Sequence, residues 1–303
     1  MAHDHAHGNA GADRSRLLVA FGITALILVA EAVGAVVTGS LALLADAGHM
    51  FTDAAGLLIA VIAATLVRRP PTMRRTWGYA RAEVLAASMQ AGLLLIVGVF
   101  VIVEAIRRLV EPPEVASGAM IWFGVVGLVG NLVSMAVLAG GHGGSLNSRA
   151  AFLEVVNDAL GSIAVIIAAL VIATTGWTGA DSIASLLIGA LIIPRTLRLL
   201  KETTDVLLES TPRGLDLGSV RQHILAMPHV VDVHDLHASL VGSGTPVLSG
   251  HVTLEDECLR DGHAPAILAD LQRCVAEHFA MPIEHSTFQL ETVAHRDQEH
   301  IPH

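Results

Sequence analysis

The sequence predicts a bundle of six transmembrane helices followed by a small soluble α/β domain, and three observations lead there. Of 303 residues, 53% are hydrophobic and only 15% charged, which is too apolar for an ordinary water-soluble protein. The apolar character ends near Glu202, after which the chain turns polar and His-rich for about 100 residues, the size of one domain. Inside the apolar part, the few ionisable residues recur at helical spacing rather than at random.

A hydrocarbon core about 30 Å thick needs about 20 apolar residues per helix. Leu17 to Gly39 is the first such stretch and carries one acid, Glu31. Leu41 to Val67 follows with Asp46, His49 and Asp53, and Val84 to Ile106 with Glu104. Ala119 to Ala139 has no charge, and Ala150 to Thr175 carries Glu154 and Asp158. Trp177 to Leu200 is the sixth, with Asp181 near one end, Arg195 and Arg198 near the other, and Pro194 expected to bend or break it. The first sixteen residues are polar and the apolar stretch after them is too long for a signal-peptide core, so the first span is expected to remain.

Lys and Arg in short loops lie mainly on the cytoplasmic side. Arg14 and Arg16 precede span one, Arg68, Arg69, Arg74, Arg75 and Arg81 follow span two, Arg149 precedes span five, and Arg195, Arg198 and Lys201 close span six. The alternate loops have none, although Arg107 and Arg108 at the end of span three dissent. Both termini are therefore expected in the cytoplasm, of a cell that keeps the protein in its plasma or inner membrane. The net charge of −10 offers no general basic surface, so no nucleic-acid partner is expected. Cys258 and Cys274, the only cysteines, both fall in the polar part and show no metal or redox spacing.

The polar part reads as a helix from Leu217 to Met227, strands from Val230 to Val241 and Val247 to Glu255, a helix from Ala264 to Phe279 and a strand from Ser286 to Val293. The Gly-Ser-Gly-Thr-Pro run at 242–246 suits a hairpin turn between the first two strands.

An ionisable side chain at bilayer depth costs several kcal/mol unless it is paired or solvated, so such residues are few and usually functional. Asp46, His49 and Asp53, spaced three and four apart, share one face of span two, and Glu154 and Asp158 share one face of span five. If the faces meet, His49, Asp53, Glu154 and Asp158 supply one imidazole nitrogen and three carboxylates, a set able to hold Zn²⁺ tetrahedrally. Such ligands release a cation when protons compete for them, which suits transport better than storage. Asp46 reads either as an acid of the outer vestibule or as a partner that orients His49. Lone acids such as Glu31 and Glu104 read as hydrogen-bonding groups in helix packing, and Asn131 and Asn157 likewise.

Leu44-Ala45-Asp46-Ala47-Gly48-His49-Met50-Phe51-Thr52-Asp53 and Asn157-Asp158-Ala159-Leu160-Gly161-Ser162 resemble spans two and five of the cation diffusion facilitators. Arg75-Thr76-Trp77-Gly78-Tyr79-Ala80-Arg81-Ala82-Glu83, Leu208-Glu209-Ser210-Thr211-Pro212 and Val233-His234-Asp235-Leu236-His237 extend the resemblance over nearly the whole chain after residue 16. It implies a homodimeric antiporter that exports Zn²⁺ or a similar divalent ion (Cd²⁺, Co²⁺, Fe²⁺ or Mn²⁺) against protons by alternating access. It also implies a cytosolic α/β domain of αββαβ order, metallochaperone-like, that pairs across the dimer. His49, Asp53 and Asp158 match the family's transport ligands, while Glu154 stands where zinc-selective members usually have His. Oxygen donors tolerate harder ions better than nitrogen donors do, so this departure bears on selectivity. Ala80 stands where relatives often carry His, and no metal site is expected in that loop.

The resemblance further implies a regulatory metal site at His234, His251, His263 and Glu291, with Gln289 where another His would be expected and His237 and His285 as spare candidates. His3, His5 and His7 with Asp4 read either as a metal-capturing arm or as a tail without useful affinity, as do His295, His300 and His303, and His142 in the loop between spans four and five. The domain organisation expected is 1–16 as a His-containing cytosolic tail, 17–205 as the six-helix transport domain, 206–294 as the cytosolic domain and 295–303 as a flexible tail. An intramembrane metalloprotease would need a string such as His-Glu-x-x-His, which is absent, so an enzyme is not expected, nor an organic cofactor. The remaining alternative is a membrane-anchored metal sensor whose cytosolic domain signals, which leaves the ligands on spans two and five without a role.

Overall fold

The computed structural model describes residues 5–139, 146–242 and 244–298, without the side chains of 5–18, 57, 60, 61, 146–151 and 154. Two compact units result, one of Met1–Ile59 with Met89–Leu199 and one of Ala60–Ser88 with Leu200–His303.

Long helices make up the first unit: α1 (His5–Thr38), α2 (Leu41–Val67), α3 (Ala82–Val110), α4 (Ser117–Ala139), α5 (Leu146–Thr175) and α6 (Gly179–Leu207), of which α2, α3 and α6 each run at one end into the second unit. Five segments of these are long and apolar enough to cross a membrane among the described residues: Val19–Thr38, Ala82–Val110, Ser117–Ala139, Val155–Thr175 and Gly179–Leu207. At about 1.5 Å per residue, the 27 residues of α2 also exceed the hydrocarbon thickness. Large apolar side chains such as Leu26, Val36, Ile96, Trp122, Ile167 and Leu191 point outward, as lipid rather than water as solvent demands. Inside, the packing relies on small residues, including Ala35, Ala42, Ala45, Ala168, Ala169 and Ala184, since helices in lipid associate by close contact rather than by hydrophobic expulsion. Gly34 shows how close: a Cβ there would lie 2.5 Å from the Phe123 ring on α4.

Two features differ from expectation at the helix ends and within α6. Helix α1 begins at His5, so the segment read as a tail to residue 16 is largely helical. Pro194 lies within α6 without breaking it, a tolerance that helices in lipid gain when neighbouring polar groups satisfy the freed carbonyls. Both dissenting arginines reach one carboxylate. Arg108 Nε is 3.0 Å from Glu104 Oε1 and its NH1 donates to the Gly39 carbonyl at 2.8 Å, while Arg107 NH1 is 3.6 Å from Glu104 Oε2. Gly39, at φ +70°, terminates α1 in the left-handed conformation that glycine adopts without strain.

The second unit holds α7 (Leu217–Leu225), β1 (Val230–Leu240), β2 (Pro246–Leu254), α8 (Asp256–Arg260), α9 (Ala264–Glu277), β3 (His285–Glu291) and α10 (Val293–Arg296). The sheet order is β1-β2-β3, with β1 and β2 antiparallel and β2 and β3 parallel. The α9 crossover supplies the connection that a parallel pair requires. Two short helices were not expected, and the last strand stops at Glu291 rather than Val293 because Thr292 caps α10 through its side chain. Residues 295 and 296 are thus helical. Val220 and Ile224 of α7, Val233 of β1, Val252 of β2, and Leu271 and Val275 of α9 form the fully buried centre of the core.

Candidate metal centre

His49 and Asp53 are one helical turn apart on α2, so their side chains lie on one face, and His49 Nε2 stands 3.4 Å from Asp53 Oδ2. The same nitrogen stands 3.9 Å from Asp158 Oδ1 on α5. His49 and Asp158 are buried and Asp53 half-buried. Zn–N and Zn–O bonds of about 2.0–2.2 Å at tetrahedral angles put two donors about 3.4 Å apart, so one imidazole nitrogen already stands close to ligand distance of both carboxylates. Gln90 Nε2 reaches Asp53 Oδ1 at 3.4 Å and orients it, and Thr52 Oγ1 donates to the His49 carbonyl at 2.7 Å. Glu154 lies on α5 one turn before Asp158, and its side chain falls outside the described residues.

Glu31 of α1, read as a lone acid, converges with Asp46 of α2, read by spacing as one face with His49 and Asp53. Glu31 and Asp46 are both buried and their carboxyl groups come within hydrogen-bonding reach. They fit because glycines face them: a Cβ on Gly161 of α5 would lie 2.7 Å from Asp46 Oδ1, and one on Gly127 of α4 would lie 2.4 Å from Glu31 Oε1. Asn131 Nδ2 donates to Ser162 Oγ at 3.5 Å, tying α4 to α5 beside them, whereas Asn157 is exposed. The only sequence signal for this cluster was the glycines opposite the acids, and it becomes readable once helix neighbours are known.

On the sheet, His234 faces His251 directly across β1 and β2, with ring centroids 5.2 Å apart. Glu291 on β3, buried, brings Oε1 to 3.3 Å from His234 Nε2 and Oε2 to 4.0 Å from His251 Nδ1. Thr253 Oγ1 donates to Glu291 Oε1 at 3.1 Å. All three point away from the helix-covered face, because Val233 and Val252 occupy the alternating inward positions. A bulge follows His234, with Asp235 at φ +48°, and moves the inward set from Val233 to Leu236 and Ala238. His237 then points outward too and bonds Asp235 at 2.8 Å.

His263, grouped with these by resemblance, stands elsewhere: its Nδ1 is 2.8 Å from Asp261 and its ring stacks on His229 with centroids 6.4 Å apart. His285 packs edge-on against Trp77 with centroids 4.8 Å apart. Gln289 Nε2 bonds Glu291 Oε2 at 3.4 Å, and His295, read as a tail residue, comes to 3.9 Å from the same carboxylate. His3, His142, His300 and His303, and the side chains of His5 and His7, fall outside the described residues.

Three groups of donors among the described residues have every ligand atom within 4.8 Å of the others, and all belong to the second unit: His234 with His251 and Glu291, His223 with Cys274 and His278, and His229 with Glu255 and Cys258. The set around His49 is more open than these.

Long lipid-facing helices that enclose imidazole and carboxylate groups define a multi-pass membrane protein that handles cations. Residues 17–208 match the family described as the cation efflux transmembrane domain. The chain is 42% identical to the metal cation efflux system protein CzcD of Cupriavidus metallidurans, over 96% of its own length and 90% of that protein. It is also 42% identical to the zinc transporter ZitB of Escherichia coli (96% and 93%) and 36% identical to the cadmium, cobalt and zinc/H(+)-K(+) antiporter of Bacillus subtilis (99% and 95%). The chain belongs to the cation diffusion facilitator family, whose members are transporters rather than enzymes.

Proposed function

We propose that this protein exports Zn²⁺ from the cytoplasm in exchange for protons, by alternating access, and that His49, Asp53, Glu154 and Asp158 are the ligands of the ion in transit. The observation that carries this reading is one buried imidazole nitrogen within 3.4 and 3.9 Å of carboxylates from two different helices of the membrane-spanning unit. The names of the relatives support metal efflux, zinc as cargo and, in one case, antiport with H⁺ and K⁺.

The chemistry follows from the donor set. Carboxylates bind only when ionised and imidazole only when neutral, so each proton that arrives from the acidic side weakens the hold on the cation. When the site opens outward, proton binding to His49 and the carboxylates expels the metal; when it opens inward, proton loss restores the ligands. Burial makes this exchange obligatory, since an ionised acid left without cation or proton in lipid is costly. The functional unit is a homodimer with both termini cytoplasmic, and His234, His251 and Glu291 bind a regulatory ion there.

His49→Ala and Asp158→Ala are expected to abolish Zn²⁺ flux in proteoliposomes while the protein still inserts and elutes as wild type. Full flux in either variant removes the proposed site. The same assay separates this reading from a membrane-anchored sensor, which would bind the ion without moving it.

A further inference from the structure

Helices α7 and α9 form the layer that covers the inner face of the sheet, and three donors meet on their outer side. His223 lies in the last turn of α7, Cys274 near the end of α9, and His278 is the residue that caps α9. His223 Nε2 and His278 Nδ1 are 3.1 Å apart, and both fall with Cys274 Sγ into a set whose atoms are all within 4.8 Å of one another. Cys274 and His278 share a helix face one turn apart, and α7 packs against α9 so that His223 completes the triangle. Met227 and Asp270 line the same shallow cleft.

We infer that His223, Cys274 and His278 form a second cytosolic metal site, which takes Zn²⁺ through one thiolate and two imidazoles and leaves a fourth position open to water. The donor chemistry is distinct from that of both sites above, since neither contains sulfur. Zn–N bonds of about 2.0–2.1 Å at tetrahedral angles place two nitrogens about 3.3 Å apart and a Zn–S bond of about 2.3 Å places sulfur about 3.6 Å from each. The imidazole pair therefore already stands near its spacing in a complex. Thiolate selects borderline and soft ions, so the site discriminates against Mg²⁺, Ca²⁺ and Mn²⁺. The two histidines are exposed and the sulfur buried, which gives the ion an entry path from solvent. The ion takes sulfur as thiolate, so binding displaces the Cys274 proton and weakens as pH falls. Without metal, the imidazoles hydrogen-bond to each other and His223 packs edge-on against Phe279 with centroids 5.6 Å apart.

The site does not depend on the transport reading, and its test does not use flux. Co²⁺ added to the purified full-length protein stands in for Zn²⁺, because tetrahedral thiolate coordination gives a sulfur-to-cobalt charge-transfer band that sites of nitrogen and oxygen lack. Cys258 is the other thiol with a histidine beside it, so the measurement is made in Cys258→Ala. The band is expected in that variant, bleached by Zn²⁺, and lost on further Cys274→Ser, His223→Ala or His278→Ala substitution. Near-unchanged far-ultraviolet circular dichroism and thermal midpoint identify variants that are still folded. Absence of the band in folded Cys258→Ala, or its persistence at full strength in Cys258→Ala/His223→Ala/His278→Ala, overturns the proposal.

Discussion

At the scale of single residues, the membrane site turns on His49. An imidazole has two nitrogens and one of them, Nε2, faces carboxylates on both α2 and α5, so this one side chain couples the two helices electrostatically. Spacing made this partly legible, because His49 and Asp53 at i, i+4 must share a face and Asp158 had a second acid one turn away. The pairing of Glu31 with Asp46 was not legible, since it joins two helices through an approach that Gly127 and Gly161 permit and no local pattern encodes. His263 shows the converse: motif position suggested a ligand, and the side chain pairs with Asp261 and His229 instead. Glu154 supplies the residue-level prediction. With Glu154 as a ligand, replacing its hard oxygen by an imidazole is expected to shift preference toward Zn²⁺ over Mn²⁺ and Co²⁺. Competition between these ions for flux in Glu154→His proteoliposomes checks it, and an unchanged preference shows that this position does not set selectivity.

At the scale of elements, the start of α2 is held by a group far away in sequence. Asp181 at the head of α6 accepts hydrogen bonds from Ser40 Oγ at 2.5 Å, Leu41 N at 2.7 Å and Ala42 N at 3.2 Å, filling the role of an N-cap for a buried helix end. The helix that carries His49 and Asp53 is thus anchored at its first turn. Asp181→Ala leaves those donors without their acceptor in a water-poor site, and a loss of about 2 kcal/mol is expected. It should appear as a lower thermal midpoint of the purified protein in detergent; an unchanged midpoint would show that water or another group replaces the carboxylate. The three strands and the two longer helices of the α/β unit were legible from alternation and turn chemistry to within a few residues, while α8 and α10 were not. Its bulge at Asp235 was not, although Asp is among the residues that tolerate a positive φ, because bulges answer to the register of the whole sheet.

At the scale of the whole molecule, composition alone separated an apolar part from a polar one, because lipid and water sort residues by the same physics that folds each part. The cysteines show where that reading ends. Cys274 has His278 one turn along its own helix, an i, i+4 pair that by itself does not signal a metal, and the third donor, His223, lies on α7, which only tertiary packing brings alongside. The two arginines that broke the charge pattern share one carboxylate, Glu104, which offsets part of their charge, a pairing that counting loop charges could not weigh. What unites the membrane part functionally is the claim that one cation is shared by two helices of the bundle. Anomalous diffraction from Zn²⁺-loaded crystals at the zinc edge tests that claim most directly. The account predicts a peak within bonding distance of His49 Nε2 and of carboxylate oxygens of both Asp53 and Asp158; ordered zinc in the cytosolic groups with none between α2 and α5, in a preparation that transports the ion, would contradict it.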